Sequence, residues 1–543
     1  MKKTILNKSS FKHQLSTLIK TSLLCVSFLT ASCSSAQPSV LETHYQENAH
    51  KLHDKNTAET CAALSKPNQT SLSQHLAPYA ERMQNSTGVY VLEEGIESLL
   101  SRGWLTHKAE KTIDIQYFIF TADNIGLIAA DYLIQAADRG VKVRLLVDDL
   151  MVDAKGDELL ILDAHENLSI KIYNPLANIG KNIFQKVKNL ATDFHGFNQR
   201  MHNKTFTVDG KVSITGGRNV ADEYFGYDHE YNFRDRDVLL LGGSVSEIES
   251  SFEDFWNDEL SVPVTQLIKS ENNDTDITNS DLANYEALHQ YACDTENYVP
   301  LVREKMKKIP EAFLQQETEG KVYWLQDVEY ISDIPGKNNE NKFLGGSGLS
   351  TEKLIELVRN AKKSIIIQTP YLVTTDLSRD LFKALTDNGV EIKILTNSLA
   401  SNDNLEAFNG YQRDRQKLLK TGVEIYEFKP DAEIRQKIMS EVMDKQLTTP
   451  PIFGLHSKSM VIDDEITVIG TFNLDPRSAN LNTESITVIP SKALTLDVKQ
   501  GMLEEMEPQN AWRTTEDWNP DGEVDILKRI KVKLRRVVPK NIL

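Results

Sequence analysis

The feature that most limits what this chain can fold into is an internal duplication in register. The string HNKTFTVDGKVSITGGRN begins at His202, and HSKSMVIDDEITVIGTFN begins at His456, 254 residues later. Both reduce to HxKxxxxD with Gly seven and Asn ten residues beyond the Asp: His202, Lys204, Asp209, Gly216 and Asn219 against His456, Lys458, Asp463, Gly470 and Asn473. The surroundings repeat as well. Helical spacing at Ile96, Leu99, Leu100 and Trp104 leads into a β-branched and aromatic run at 112–120, a helix over 127–137, an Arg139-Gly140 stop and the apolar strand VKVRLLVDD. The same order returns as STEKLIELVRNAKKSIIIQTPYLV, a helix over 377–386 and NGVEIKILTNS, and LSIKIYNP (168–175) answers to VEIYEFKP (423–430). Two copies of one βαβ-containing unit, each too long for a solenoid repeat, predict a tandem pair of α/β domains related by a pseudo-twofold axis.

The repeated residues carry their own chemistry. His and Lys two apart on a strand project from one face, so each motif presents an imidazole beside an ammonium, and a twofold axis brings two of each to one pocket. Asn219, Asn473 and a tight backbone approach at Gly216 and Gly470 add N–H donors. This set suits a tetrahedral oxyanion, and it contains no carboxylate cluster for a divalent metal and asks for no cofactor. It predicts phosphoryl transfer with lysines in place of magnesium. One histidine attacks phosphorus and the other protonates the leaving oxygen, both titrating near neutrality. Asp209 and Asp463 complete the six core motif positions. They stand an odd number of residues from the His, in an apparent hairpin turn, which predicts a structural role. Further on, Asp235 in FRDRDVLLL and Glu484 in NLNTESITVI lie at broadly similar distances. A carboxylate on each imidazole Nδ1–H would set its tautomer and basicity, with Asp237 the alternative to Asp235.

Charge divides the chain into unlike parts. The first twenty residues hold five lysines and no acid, and TSLLCVSFLTA (21–31) follows, too short to span a bilayer but matched to a signal-peptide core. LTASC (29–33) resembles a lipobox, with Thr30 departing from the usual Leu, so Cys33 is the expected lipidation site; an ordinary signal peptide is the alternative. Removing the signal takes the net charge from −17 to −22. A body that acidic disfavours nucleic acid as a partner. In an oxidising compartment Cys61 and Cys293 form the candidate disulfide. The expected organisation is a signal peptide at 1–32, a tether and wrapping segment at 33–88, a first domain at 89–265 and an acidic linker at 266–320, helical over 282–314. A second domain follows at 321–500, then a basic end at 501–543. In that end ILKRIKVKLRRVVPK (526–540) sets Ile526, Ile530, Leu534 and Val538 on one helical stripe among six cations, closed by Pro539, and predicts an amphipathic helix on an anionic bilayer.

The two motifs resemble the signature of the phospholipase D superfamily, over roughly residues 90 to 540. Flanking strings narrow the resemblance: IDIQYFIF, RMHNK, GGRNVADEYFG, SFEDFW, TPYLV, TNSLASND, NGYQRDRQKLL and GTFNLDPRSANLNTE are similar to the bacterial cardiolipin synthase C type. That resemblance implies a pair of α/β/α sandwich domains sharing one active site and a two-step displacement. His202 would be the nucleophile, His456 acid and then base, and Lys204, Lys458, Asn219 and Asn473 would hold the phosphate. It further implies phospholipid substrates, phosphatidylglycerol or phosphatidylethanolamine as donor, and a second phospholipid's headgroup alcohol as acceptor. Water as acceptor would make the protein a hydrolytic phospholipase D. A nuclease of the same superfamily and a non-catalytic binding module are the remaining alternatives, opposed by the acidic body and by the two intact motifs. The expected setting is a monomeric lipoprotein on a membrane surface, facing the periplasm. Ser34 after the Cys points to the outer membrane.

Overall fold

The computed structural model describes residues 71–543 apart from 153–156, 182, 269–278, 295–296, 298–307, 339–345 and 439–449. The expected signal peptide, the expected lipidation site Cys33 and most of the expected tether lie outside the described residues. So does Cys61; Cys293, fully buried at the end of helix Asn279–Cys293, is disulfide-bonded.

The first half supplies β1 (Thr87–Leu92), β2 (Thr112–Tyr117), β3 (Lys142–Asp148), β4 (Leu168–Tyr173), β5 (Thr205–Val208), β6 (Val212–Gly216), β7 (Tyr231–Arg234), β8 (Asp237–Gly242) and β9 (Ser261–Pro263). Next come β10 (Tyr323–Leu325), β11 (Glu329–Ser332), β12 (Ser364–Gln368), β13 (Glu391–Asn397), β14 (Glu424–Phe428), β15 (Ile452–Leu455), β16 (Ser459–Ile462), β17 (Ile466–Gly470), β18 (Ser485–Pro490) and β19 (Ala511–Thr514). One sheet runs β10-β1-β8-β6-β5-β2-β3-β4-β9 and the other β11-β18-β17-β16-β12-β13-β14-β19. Setting β10 aside, the two orders correspond strand for strand, with β2-β3-β4 and β12-β13-β14 as the parallel centres. The α/β duplication is therefore a duplication of topology. Sheet membership divides the chain between Leu325 and Glu329, so β10, expected with the second domain, extends the first sheet. Conversely β19, from the expected C-terminal segment, closes the edge of the second.

The central strands are buried on both faces because helices cover both, which is why they read as apolar runs without alternation. Helices Gly95–Lys108 and Asn124–Asp138 pack outside the first sheet, and Leu349–Asn360, Asp376–Asp387 and Leu405–Leu419 outside the second. Helices Val245–Asn257 and Lys492–Glu504 lie between the sheets. There Val89, Val238, Leu240 and Ile248 share one core with Ile366, Leu395, Phe453, Val461 and Val498, so a continuous apolar layer joins the halves.

The basic end departs from expectation. The α-helix covers Ile526–Leu534 only and passes into a 3₁₀ turn, Arg535–Val537. Val538 leaves the expected stripe and is buried with Val373 and Leu543, because the tighter turn rotates it inward. Among the described residues no helix is long and apolar enough to cross a membrane.

Candidate active site

The two motifs sit at the junction of the sheets, and a pair of parallel cross-half pairings aligns them. β7 of the first half pairs with β15 of the second, setting Arg234 opposite Leu455, so the next residues, Asp235 and His456, are neighbours. His456 N donates to Arg234 O at 2.7 Å. On the other side Met201 bridges Thr483 in parallel, and His202 N donates to Thr483 O at 3.0 Å, which brings Glu484 beside His202. Each half thus completes the histidine of the other.

The side chains follow from this register. His202 Nδ1 lies 2.8 Å from Glu484 Oε2 and His456 Nδ1 lies 2.5 Å from Asp235 Oδ2. With Nδ1–H donating to a carboxylate, each imidazole turns its Nε2 lone pair toward the reacting atom. Asp235 and Glu484 are both fully buried. Asp237, the alternative to Asp235, is engaged elsewhere, accepting from Ser98 Oγ and Arg102 Nη2. Lys204 Nζ donates to His202 O at 2.8 Å and Lys458 Nζ to His456 O at 2.5 Å, so each ammonium is held beside its own imidazole. Asn219 Oδ1 accepts the Ile119 N–H, which orients its amide nitrogen. Asn473 is also buried, and its Oδ1 has no partner among the described residues.

Burial dominates the electrostatics. It lowers His202 to about 4 against the opposing pull of Glu484, and lowers His456 to about 3 with help from Lys458. The expectation that both histidines titrate near neutrality is therefore corrected: both are neutral at pH 7 in the unliganded site, since an imidazolium beside two lysines in a dry pocket is disfavoured. Burial likewise brings Lys204 down to about 7 and Lys458 to about 8. Burial pushes Asp235 and Glu484 upward, but the histidine and lysine beside each hold both carboxyls below their usual range. A phosphodiester anion between the lysines reverses the sign, favouring ammonium and imidazolium together.

Asp209 and Asp463 do not join the pocket. Both stand at positive φ in their hairpins, and Asp209 accepts the backbone N–H groups of Glu110, Lys111 and Thr112. Asp463 accepts those of Lys362, Lys363 and Ser364. Each fastens its hairpin to the start of the neighbouring central strand. The expected approach of an anion to the motif glycines is also corrected. A Cβ on Gly216 would stand 2.5 Å from Asp237 Cα, and one on Gly470 would stand 2.3 Å from Ser485 O, so these glycines make room for the adjacent strand.

Several neighbours carried no distinguishing pattern in the sequence. Phe118 packs edge-on to His202, while Tyr224 and Phe233 bracket His456. Thr471 Oγ1 donates to the Glu484 carboxylate that holds His202. Tyr371 Oη donates to Asp403 Oδ2 at 2.7 Å, and the charge of Asp403 reaches Lys458. Phe118, Tyr224 and Tyr371 do stand inside the flanking strings IDIQYFIF, GGRNVADEYFG and TPYLV, and that is the signal that could have found them.

A family model described as "Cardiolipin synthase, PLD-like domain" matches twice, at residues 105–256 and 354–506. The chain is 32% identical to cardiolipin synthase C of Escherichia coli (strain K12) over 493 residues, 86% of this chain and 98% of that protein. It is also 32% identical to an uncharacterized protein of Helicobacter pylori (strain J99), over 82% of this chain and 84% of its relative. The crystal structure of phosphatidylserine synthase from Haemophilus influenzae Rd KW20 superposes with a TM-score of 0.53 over 86% of this chain and 99% of that one, at 13% identity, a likeness of fold. Two motif-bearing halves, two family matches in the same places and near full-length similarity agree: this chain belongs to the phospholipase D-like family of cardiolipin synthases.

Proposed function

We propose that the protein is a phosphatidyltransferase of the cardiolipin synthase type, and the observation that carries this reading is the crosswise pairing of two carboxylate-oriented histidines, each with its own buried lysine. His202 Nε2 attacks the phosphorus of a donor phospholipid, phosphatidylglycerol or phosphatidylethanolamine. A P–N bond forms, the P–O bond to the headgroup breaks, and His456 delivers a proton to the leaving oxygen. In the second step His456 takes the proton from the glycerol hydroxyl of a second phosphatidylglycerol. That oxygen attacks phosphorus and the P–N bond breaks, leaving cardiolipin and free His202. Lys204, Lys458, Asn219 and Asn473 hold the phosphoryl oxygens throughout, where preorganised charge costs no rearrangement in the transition state.

Both histidines and both supporting carboxylates come from one chain, which supports a monomer as the working form. The sequence of residues 1–34 supports export, lipidation at Cys33 and attachment to the cell envelope facing the periplasm, at the outer membrane. Labelled phosphatidylglycerol supplied to the purified protein tests the reaction: cardiolipin and free glycerol are expected. Phosphatidic acid without cardiolipin would show that water is the acceptor and overturn the transferase reading.

A further inference from the structure

The C-terminal helix is held to the protein by one face only. Val532 is fully buried against helix Leu405–Leu419, and Asn409 Nδ2 donates to Val532 O at 3.0 Å. On the far side Ile526, Leu527, Ile530 and Leu534 fall within an arc of about 100°. Their exposures are 63, 67, 47 and 65%, and Val537 in the next turn is 61% exposed. Fourteen large apolar side chains are exposed among the described residues, and five of them stand in these twelve positions, a concentration that marks a contact surface. Lys531 and Lys533 border the arc on its two sides, and Arg536 follows. None of the three pairs with a carboxylate among the described residues, whereas neighbouring Arg535 is held by Glu406. A second copy of the same face would bring these cations against each other; an anionic bilayer satisfies both the apolar arc and its basic border.

The helix is also fastened to a loop beside the candidate site. Lys528 Nζ donates to Ala400 O at 3.3 Å, in the loop that carries Asp403, whose charge reaches Lys458.

We infer that this helix is the membrane-docking surface of the protein. Ile526, Leu527, Ile530, Leu534 and Val537 enter the interface of an anionic phospholipid bilayer, and Lys531, Lys533 and Arg536 rest on its phosphates. The loop that carries Asp403, beside Lys458, is thereby held against the lipid that the site draws from, a purpose that rests on the proposed phospholipid substrate.

Quenching by brominated acyl chains tests it on the full chain, whether or not a lipid anchor also tethers it. Ile530→Trp and the control Leu314→Trp, at an exposed site of the first half, are compared with wild type on phosphatidylglycerol vesicles. The fluorescence added by I530W is expected to fall about two-fold or more and that added by L314W to stay unchanged. The triple variant K531E/K533E/R536E in the I530W background is expected to lose the quenching. Equal quenching of I530W and L314W, no quenching of either, or equal quenching on phosphatidylcholine vesicles would overturn the inference. Loss of I530W quenching together with concentration-dependent dimerisation in sedimentation would assign the face to a second copy instead. Quenching reads docking independently of turnover, so a protein that docks but forms no cardiolipin refutes the proposed reaction alone.

Discussion

Each motif aspartate accepts three backbone N–H bonds, so its loss is a folding defect and not a chemical one. Asp209→Ala is expected to cost about 1–2 kcal/mol, the low end for charged hydrogen bonds at a partly exposed site. Its unfolding midpoint falls by a few degrees, while turnover measured well below that temperature stays within about three-fold of wild type. The carboxylates outside the motif behave oppositely. Asp235→Asn and Glu484→Gln keep the shape but lose the charge that orients each imidazole, so kcat falls by about 10²–10⁴ with little change in midpoint. Reading kcat and thermal midpoint for the three variants separates the roles. The residue scale also shows a limit of pattern reading: HxKxxxxD groups His, Lys and Asp, yet the fold sends the Asp to a hairpin turn and recruits Asp235 and Glu484 from the opposite half. Sequence spacing had nominated these two but left Asp235 and Asp237 undecided, because only the β7–β15 register says which of them meets His456.

At the scale of elements, the site depends on short pairings between halves. β7 and β15 form a two-stranded parallel sheet of four residue pairs, and at Gly454 there is no room for a side chain: a Cβ there would stand 1.7 Å from Tyr231 Oη. Gly454→Ala therefore shifts β7 against β15 and moves Asp235 from His456. The expected result is a loss of about 1–3 kcal/mol in stability and at least ten-fold in kcat, measured together. The pairing is reinforced by Arg234, whose guanidinium donates to Glu505 Oε1 at 2.7 Å, a fully buried ion pair across the halves. Glu505→Gln removes the buried one of the two carboxylates on that guanidinium and leaves Glu93, so it is expected to destabilise the junction by about 1–3 kcal/mol, read as a lowered midpoint in denaturant. The strands and helices themselves were legible from apolar runs and periodicity. The cross-half pairings were not, because four-residue strands such as IFGL and YNFR carry no pattern that distinguishes them from loop.

At the scale of the whole molecule, a buried pocket with two lysines and two histidines titrates as a unit. The nucleophile His202 is deprotonated above about 4, so the acid limb of kcat/KM lies near pH 4, well below the ordinary histidine value, while His456 takes up the proton it delivers when the anionic donor binds. Lys204, lowered to about 7, must be charged to receive the phosphate, so kcat/KM is expected to fall as pH rises through about 7 to 8. In the complex the bound anion raises all four groups, and the basic limb of kcat moves to higher pH than that of kcat/KM. A pH profile with coincident basic limbs would contradict this.

The sequence by itself determined the duplicated α/β fold, the pair of motifs and the type of reaction, because in-register repetition of residues with specific chemistry survives in the linear chain. What only the tertiary structure decided was partnership. That Glu484 serves His202 and Asp235 serves His456, that the histidines are neutral when unliganded, and that the basic helix is tied to the loop carrying Asp403 all follow from burial and from contacts between segments over a hundred residues apart. Local composition does not encode such contacts, since each depends on where the other half of the chain comes to rest.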